Sequence, residues 1–193
     1  MDIQSAEIFV IQTLEKSLSP TLFYHGIHHT FDVVDASAKI AKAEEITDEE
    51  SLVLLKTAAL YHDIGFITTY KGHEEEGCRI AKATLPTWNY STEQIEQICG
   101  MIMATQIPQN PQNILQKIIA DADLDYLGRD DFEPIADSLF RELSARIMVT
   151  DINIWNQIQV KFISAHHYWT ASEIALRDDK KRQNLDKVKS LLL

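Results

Sequence analysis

Three short clusters hold the side chains best suited to binding a metal or moving a proton. The first is Tyr24-His25-Gly26-Ile27-His28-His29-Thr30, which places three of the chain's 7 histidines within five positions. On a helix, His25 and His29 share a face, and His28 pairs with Asp32 at the same four-residue spacing. The second is His62-Asp63, which closes an apolar segment just before Ile64-Gly65-Phe66. An aspartate among apolar neighbours needs a partner or a metal. Neighbouring helix positions point about a hundred degrees apart. Both residues therefore reach one ion only at a helix end, where Gly65 lets the chain turn away. The third is Asp121-Ala122-Asp123-Leu124-Asp125, delivered by an apolar run from Ile118. Asp121 and Asp125 share a helical face, and Asp123 lies on another. Each cluster also has a plainer reading: surface histidines at a helix start, a carboxylate capping a turn, or solvated acids. A calcium loop does not fit the third, which lacks the required glycine and closing glutamate.

The elements that must position these residues read as helices. The sequence predicts them over 3–16, 24–43 and 48–62, then 73–84, 91–105 and 114–124. Two more follow at 131–148 and 152–169, with a charged helix at the tail. Ile27, Phe31, Val34, Ala38 and Ala41 form an amphipathic stripe on the second. Thr47 with Glu50, and Ser91 with Gln94, read as capping boxes. Trp155, Phe162 and Trp169 recur every seven residues as a core-facing stripe. No segment alternates apolar and polar residues for long, so the fold class is all-α, with no repeat or linker.

Composition narrows the function. Apolar residues make up 45% and charged residues 24%, as expected of a soluble chain with a sizeable core. A formal net charge of −11 opposes binding to a nucleic-acid polymer, which rewards clustered lysine and arginine. No apolar run suits a membrane helix, and no secretory signal opens the chain. Cys78 and Cys99 stand outside any C-x-x-C motif and read as small core thiols in a reduced compartment, which points to the cytoplasm.

Taken in order, Tyr-His-x-x-x-His, then His-Asp-Ile-Gly closing an apolar helix, then Asp-Ala-Asp-Leu resemble the HD superfamily of metal-dependent phosphohydrolases. The resemblance spans roughly residues 22 to 130. It implies a single helical domain, with residues 131–193 packing on the motif-bearing core. It also implies His29 as first metal ligand, His62 and Asp63 as the central pair, and Asp123 as the last. Asp123 is preferred over Asp121 because it follows the small residue Ala122. The ion would be divalent: Mn, Fe, Co, Ni, Zn or Mg. Two imidazoles and two carboxylates suit such ions and leave positions for water and phosphate. Asp63 then counts among the catalytic groups, and His25 resembles the histidine that protonates the leaving oxygen in cyclic-nucleotide phosphodiesterases of this superfamily.

His73 occupies the region where binuclear members carry further histidines. Thr105 and Gln106 stand where another is often found, so one tightly held metal is expected. His73, Lys71 and Arg79 are candidate substrate contacts, although a solvated role suits Lys71 and Arg79. His166 and His167, between aromatics, read as packing. The implied substrate is a small phosphate ester or anhydride, with a nucleotide or cyclic nucleotide foremost, and a homodimer is compatible with the pattern. The rival function is a catalytically silent HD domain that binds a nucleotide or metal in signalling.

Overall fold

Side-chain caps set where most of the helices begin. The computed structural model describes residues 1–192 and contains α-helices and short 3-10 turns, with no strand among the described residues. Asp2 accepts from the Ser5 amide and opens α1 (Ile3–Ser17). Gly26 precedes α2 (Ile27–Ala43). Asp48 accepts from the Ser51 amide and opens α3 (Glu49–Tyr61), so Asp48 rather than Thr47 is the cap. A 3-10 turn (Ile64–Ile67) leads to α4 (His73–Thr84). Ser91 and Gln94 form the expected capping box of α5 (Thr92–Ala104). Asn113 caps α6 (Ile114–Asp123), and α7 (Phe132–Ala145) follows. Asp151 caps α8 (Ile152–Ala165), and Thr170 caps α9 (Ala171–Ser190).

Two apolar cores result. The larger joins α1 to α6 around fully buried Leu54, Leu60, Tyr61, Ile98 and Ile118. Each such Leu or Ile contributes ~1.5–3 kcal/mol by leaving water. The smaller core gathers Leu127, Phe132, Trp155, Ile163 and Val188 from the turn after α6 and from α7, α8 and α9. Within the first, α2 packs on both α3 and α6. That double contact explains a departure from the expected stripe. The buried face of α2 is His29, Thr30, Val33, Ala36, Ser37, Ile40 and Ala41, while Phe31 and Ala38 are exposed. Small residues let two neighbouring helices close in on one face, and a phenylalanine there would hold them apart.

Two element ends also differ from expectation. Helix α2 starts at Ile27 instead of Tyr24, which leaves His25 in the turn before it. Helix α8 stops at Ala165, because the chain extends at His166 and the Trp169 and Thr170 amides donate to Asp121 at 2.8 Å. Trp169 therefore lies outside the helix it was expected to close.

Candidate metal centre

The packing of α2 between α3 and α6 brings four side chains to one place. His29 projects from the first turn of α2, and His62 and Asp63 follow the last turn of α3. Asp123 is the last residue of α6. His29 Nε2 lies 3.0 Å from Asp123 Oδ1, 3.6 Å from Asp63 Oδ2 and 3.4 Å from His62 Nε2. His62 Nε2 lies 3.3 Å from Asp63 Oδ2 and 3.6 Å from Asp123 Oδ1. Ligands at ~2.1 Å from a shared ion stand about 3.0 Å apart in an octahedron and about 3.4 Å apart in a tetrahedron. The spacings among His29, His62 and Asp123 match that requirement, and Asp63 adjoins both histidines.

The surroundings fit a cation as well. Asp63 Oδ2 is buried and has no hydrogen-bond partner. A buried carboxylate oxygen without a donor is costly unless a cation meets it. His62 Nδ1 lies 2.7 Å from the Ala59 carbonyl and donates to it, which directs Nε2 at the cluster. Burial alone would lower the His62 pKa, but the Asp63 carboxylate outweighs it and raises it to about 9. Burial likewise pushes the Asp63 carboxyl up, and His62 more than reverses this, holding it well below its ordinary range. The pocket is strongly cation-seeking.

Beside the cluster, His25 is fixed by a residue far away in sequence. Glu142, fully buried on α7, lies 2.5 Å from His25 Nδ1. Its Oε2 accepts from the Tyr24 and His25 amides at 2.9 and 3.1 Å, and its Oε1 accepts from the Tyr70 hydroxyl at 2.9 Å. Burial raises the Glu142 carboxyl, yet the His25 ring and the backbone donors outweigh this and keep it below its usual range. With Nδ1–H donated to Glu142, Nε2 of His25 is the nitrogen left for the cavity that His25 lines. Phe66 is stacked between His25, at 4.2 Å between centroids, and His73, at 3.9 Å. His73 Nε2 in turn lies 3.4 Å from Asp63 Oδ1, the oxygen of Asp63 that faces away from His62.

A family model described as the HD domain matches residues 26–125, just over half the chain. The chain belongs to the HD-domain family. Its fold is similar to the crystal structure of a predicted HD superfamily hydrolase from an uncultured Thermotogales bacterium. That comparison has 22% identity and a TM-score of 0.61, and covers 97% of this chain and 90% of the other. No curated protein matches the sequence at a significant level.

The HD-domain frame separates the aspartates of the third cluster. Asp123 points at the two histidines, whereas Asp121 turns away and accepts from the Trp169 and Thr170 amides and the Thr170 hydroxyl. Asp125 accepts from Arg177 at 2.5 Å and serves the second core. Of the candidate substrate contacts, only His73 lines the cavity. Lys71 is exposed, and Arg79 bonds Glu76 at 2.7 Å with its side chain two-thirds in solvent, so neither lines the cavity. Thr105 donates to the Ile102 carbonyl and Gln106 to Glu75, so neither adds a ligand beside His73. His166 and His167 stand apart from the cluster, against Tyr168 and Trp169. Glu142 and Phe66 were not visible as site residues in the sequence. Glu142 reads locally as a solvated helical glutamate, and its partner is 117 positions away.

Proposed function

We propose that this HD-domain protein is a metal-dependent phosphohydrolase acting on a phosphate ester. The observation that carries this reading is the convergence of His29, His62 and Asp123 at mutual spacings of 3.0–3.6 Å, with Asp63 beside both histidines at 3.3 and 3.6 Å. In this reading those four residues hold one divalent ion. Bound there, such an ion would polarise a phosphoryl oxygen and lower the pKa of a bound water, which would make that water a nucleophile near neutral pH.

The remaining work falls to the chain's own groups. His25 stands ready to give a proton from Nε2 to the leaving oxygen, and Glu142 holds its ring in place. His73, held against Phe66, steadies a phosphoryl oxygen beside Asp63. Water gives its oxygen to phosphorus and releases a proton to solvent, the bond from phosphorus to the ester oxygen breaks, the alcohol leaves with the proton from His25, and His25 regains a proton from solvent. Monoesters, diesters and nucleotides all belong to this reaction class.

The test is metal analysis of the purified protein, followed by assay of a phosphoester panel with Mn, Fe, Co, Ni, Zn and Mg. Release of phosphate or a monoester, lost on chelation and restored by one of these ions, is the expected result. Metal binding without turnover on any substrate would instead leave a silent binding domain.

A further inference from the structure

The metal cluster is one end of a cavity of about 300 Å³, and the opposite end is walled by a different set of residues. At the cluster end stand His25, Asp63, His73, Glu74 and Asp123. The far walls come from the second core: Leu127, Leu139, Leu143, Trp155, Phe162 and Ile163. Among the described residues, no lysine or arginine lines the cavity. Gln159 is the one amide there, and it donates to Asn156 at 3.4 Å.

We infer that the alcohol half of the substrate is a hydrocarbon body, so the substrate is a phosphomonoester of an apolar alcohol. This rests on the phosphohydrolase reading and narrows it. A nucleoside brought into this chamber would bury ribose hydroxyls and base-edge groups against leucine, isoleucine and aromatic carbon. Each polar group left unpaired there costs the full price of its lost hydration. An extended polyphosphate would need lysine or arginine side chains, and none lines the cavity among the described residues. A hydrocarbon body has neither need, and gains by leaving water. Continuity of the chamber with His25 places that body where the leaving alcohol must sit. A volume near 300 Å³ admits about ten water-sized groups at ~30 Å³ each.

The experiment compares ethyl, butyl, hexyl, octyl and dodecyl phosphate with adenosine and guanosine monophosphate, using the metal-loaded full chain. In parallel, calorimetry measures the dissociation constants of the matching alkylphosphonates, which cannot be hydrolysed. The expected result is kcat/KM rising about fourfold per methylene through octyl. No further gain follows at dodecyl, and the nucleotides lie below hexyl phosphate. Phosphonate affinity follows the same series, with a negative heat-capacity change. Leu143→Gln reduces the octyl-to-ethyl ratio at least tenfold, and because this is a ratio, loss of folded protein does not affect it. A flat series, or nucleotides preferred over hexyl phosphate, overturns the chamber assignment and leaves the phosphohydrolase reading standing. If nothing is hydrolysed, that reading fails, and the phosphonates alone decide the chamber. Affinity that grows with chain length supports it, and affinity that does not overturns it.

Discussion

Glu142 Oε1 and His25 Nδ1 stand 2.5 Å apart, although they lie 117 positions apart in the chain. The pairing fixes which His25 nitrogen carries a proton towards the protein and which faces the cavity. Glu142→Gln is expected to retain metal at wild-type stoichiometry. It should lower kcat by roughly 10–10²-fold, at or below the low end of the usual range for losing an acid outright. The loss should be larger for alkyl esters than for nitrophenyl esters, whose leaving groups need little protonation. A loss equal for both would make Glu142 a fold support only, so the comparison of leaving groups is the measurement that decides.

Asp63 carries the unpartnered oxygen of the cluster and also contacts His73. Asp63→Ala should abolish metal retention and turnover together. Wild type should hold one tight metal per chain, because a second ion between Asp63 and His73 finds neither Thr105 nor Gln106 free to help. His167→Ala, on an exposed side chain, should leave both properties nearly unchanged. Elemental analysis of the three proteins, with a turnover assay on each, tests all of this.

Gly65 lets α4 approach the turn after Asp63. A Cβ at Gly65 would lie 2.0 Å from the His73 carbonyl oxygen, a contact no structure tolerates. Gly65→Ala must push the start of α4 away, at ~1–3 kcal/mol for overpacking. That corresponds to about 2–4 °C in Tm for each kcal/mol in a chain of this size. Since His73 moves with α4, KM should rise at full metal occupancy. An unchanged KM beside a lowered Tm would remove His73 from substrate contact.

Glu173, at the start of α9, is buried near Asp125, and its Oε2 makes no hydrogen bond and lies 3.6 Å from Arg177 Nε. Burial, then the Asp125 charge, outweighs the nearby Arg177 cation and raises its pKa from 4.5 to about 8. The native state therefore holds a proton that the unfolded chain releases above its own lower pKa. The associated stability is complete below about 4.5 and is lost as pH rises through about 8. Glu173→Gln replaces the neutral acid with a neutral amide. The variant's Tm should exceed wild type by several degrees near pH 8.5, and the difference should close by pH 5. Thermal melts across that range provide the check.

Local pattern carried much of this architecture and site into view. His62-Asp63 was legible because both residues, the apolar helix before them and the glycine after them lie within a few positions. The same holds for Ser91 with Gln94, whose capping bonds are local. The start of α2 was not legible, because Tyr24 and His25 satisfy a helical pattern. What removes them from the helix is Glu142, which takes both of their amides. Asp121 and Asp123 were hard to separate for the same reason. The residues that claim Asp121 are Trp169 and Thr170, which lie nearly fifty positions downstream. Tertiary partners decided each case, and single-chain periodicity does not contain them.

The two cores divide labour in a way that bears on how such a protein changes over time. All four side chains of the metal cluster are set by the packing of α2, α3 and α6, whereas most of the cavity's far wall belongs to α7 and α8. Substitutions drifting through residues 132–163 can reshape what fits the cavity while every ancestor along the way keeps its reactive centre. Glu142 is the exception, since it sits among those wall residues yet holds His25. A lineage is free to exchange its neighbours Leu139 and Leu143, but position 142 is where selection for a new substrate meets the chemistry it must preserve.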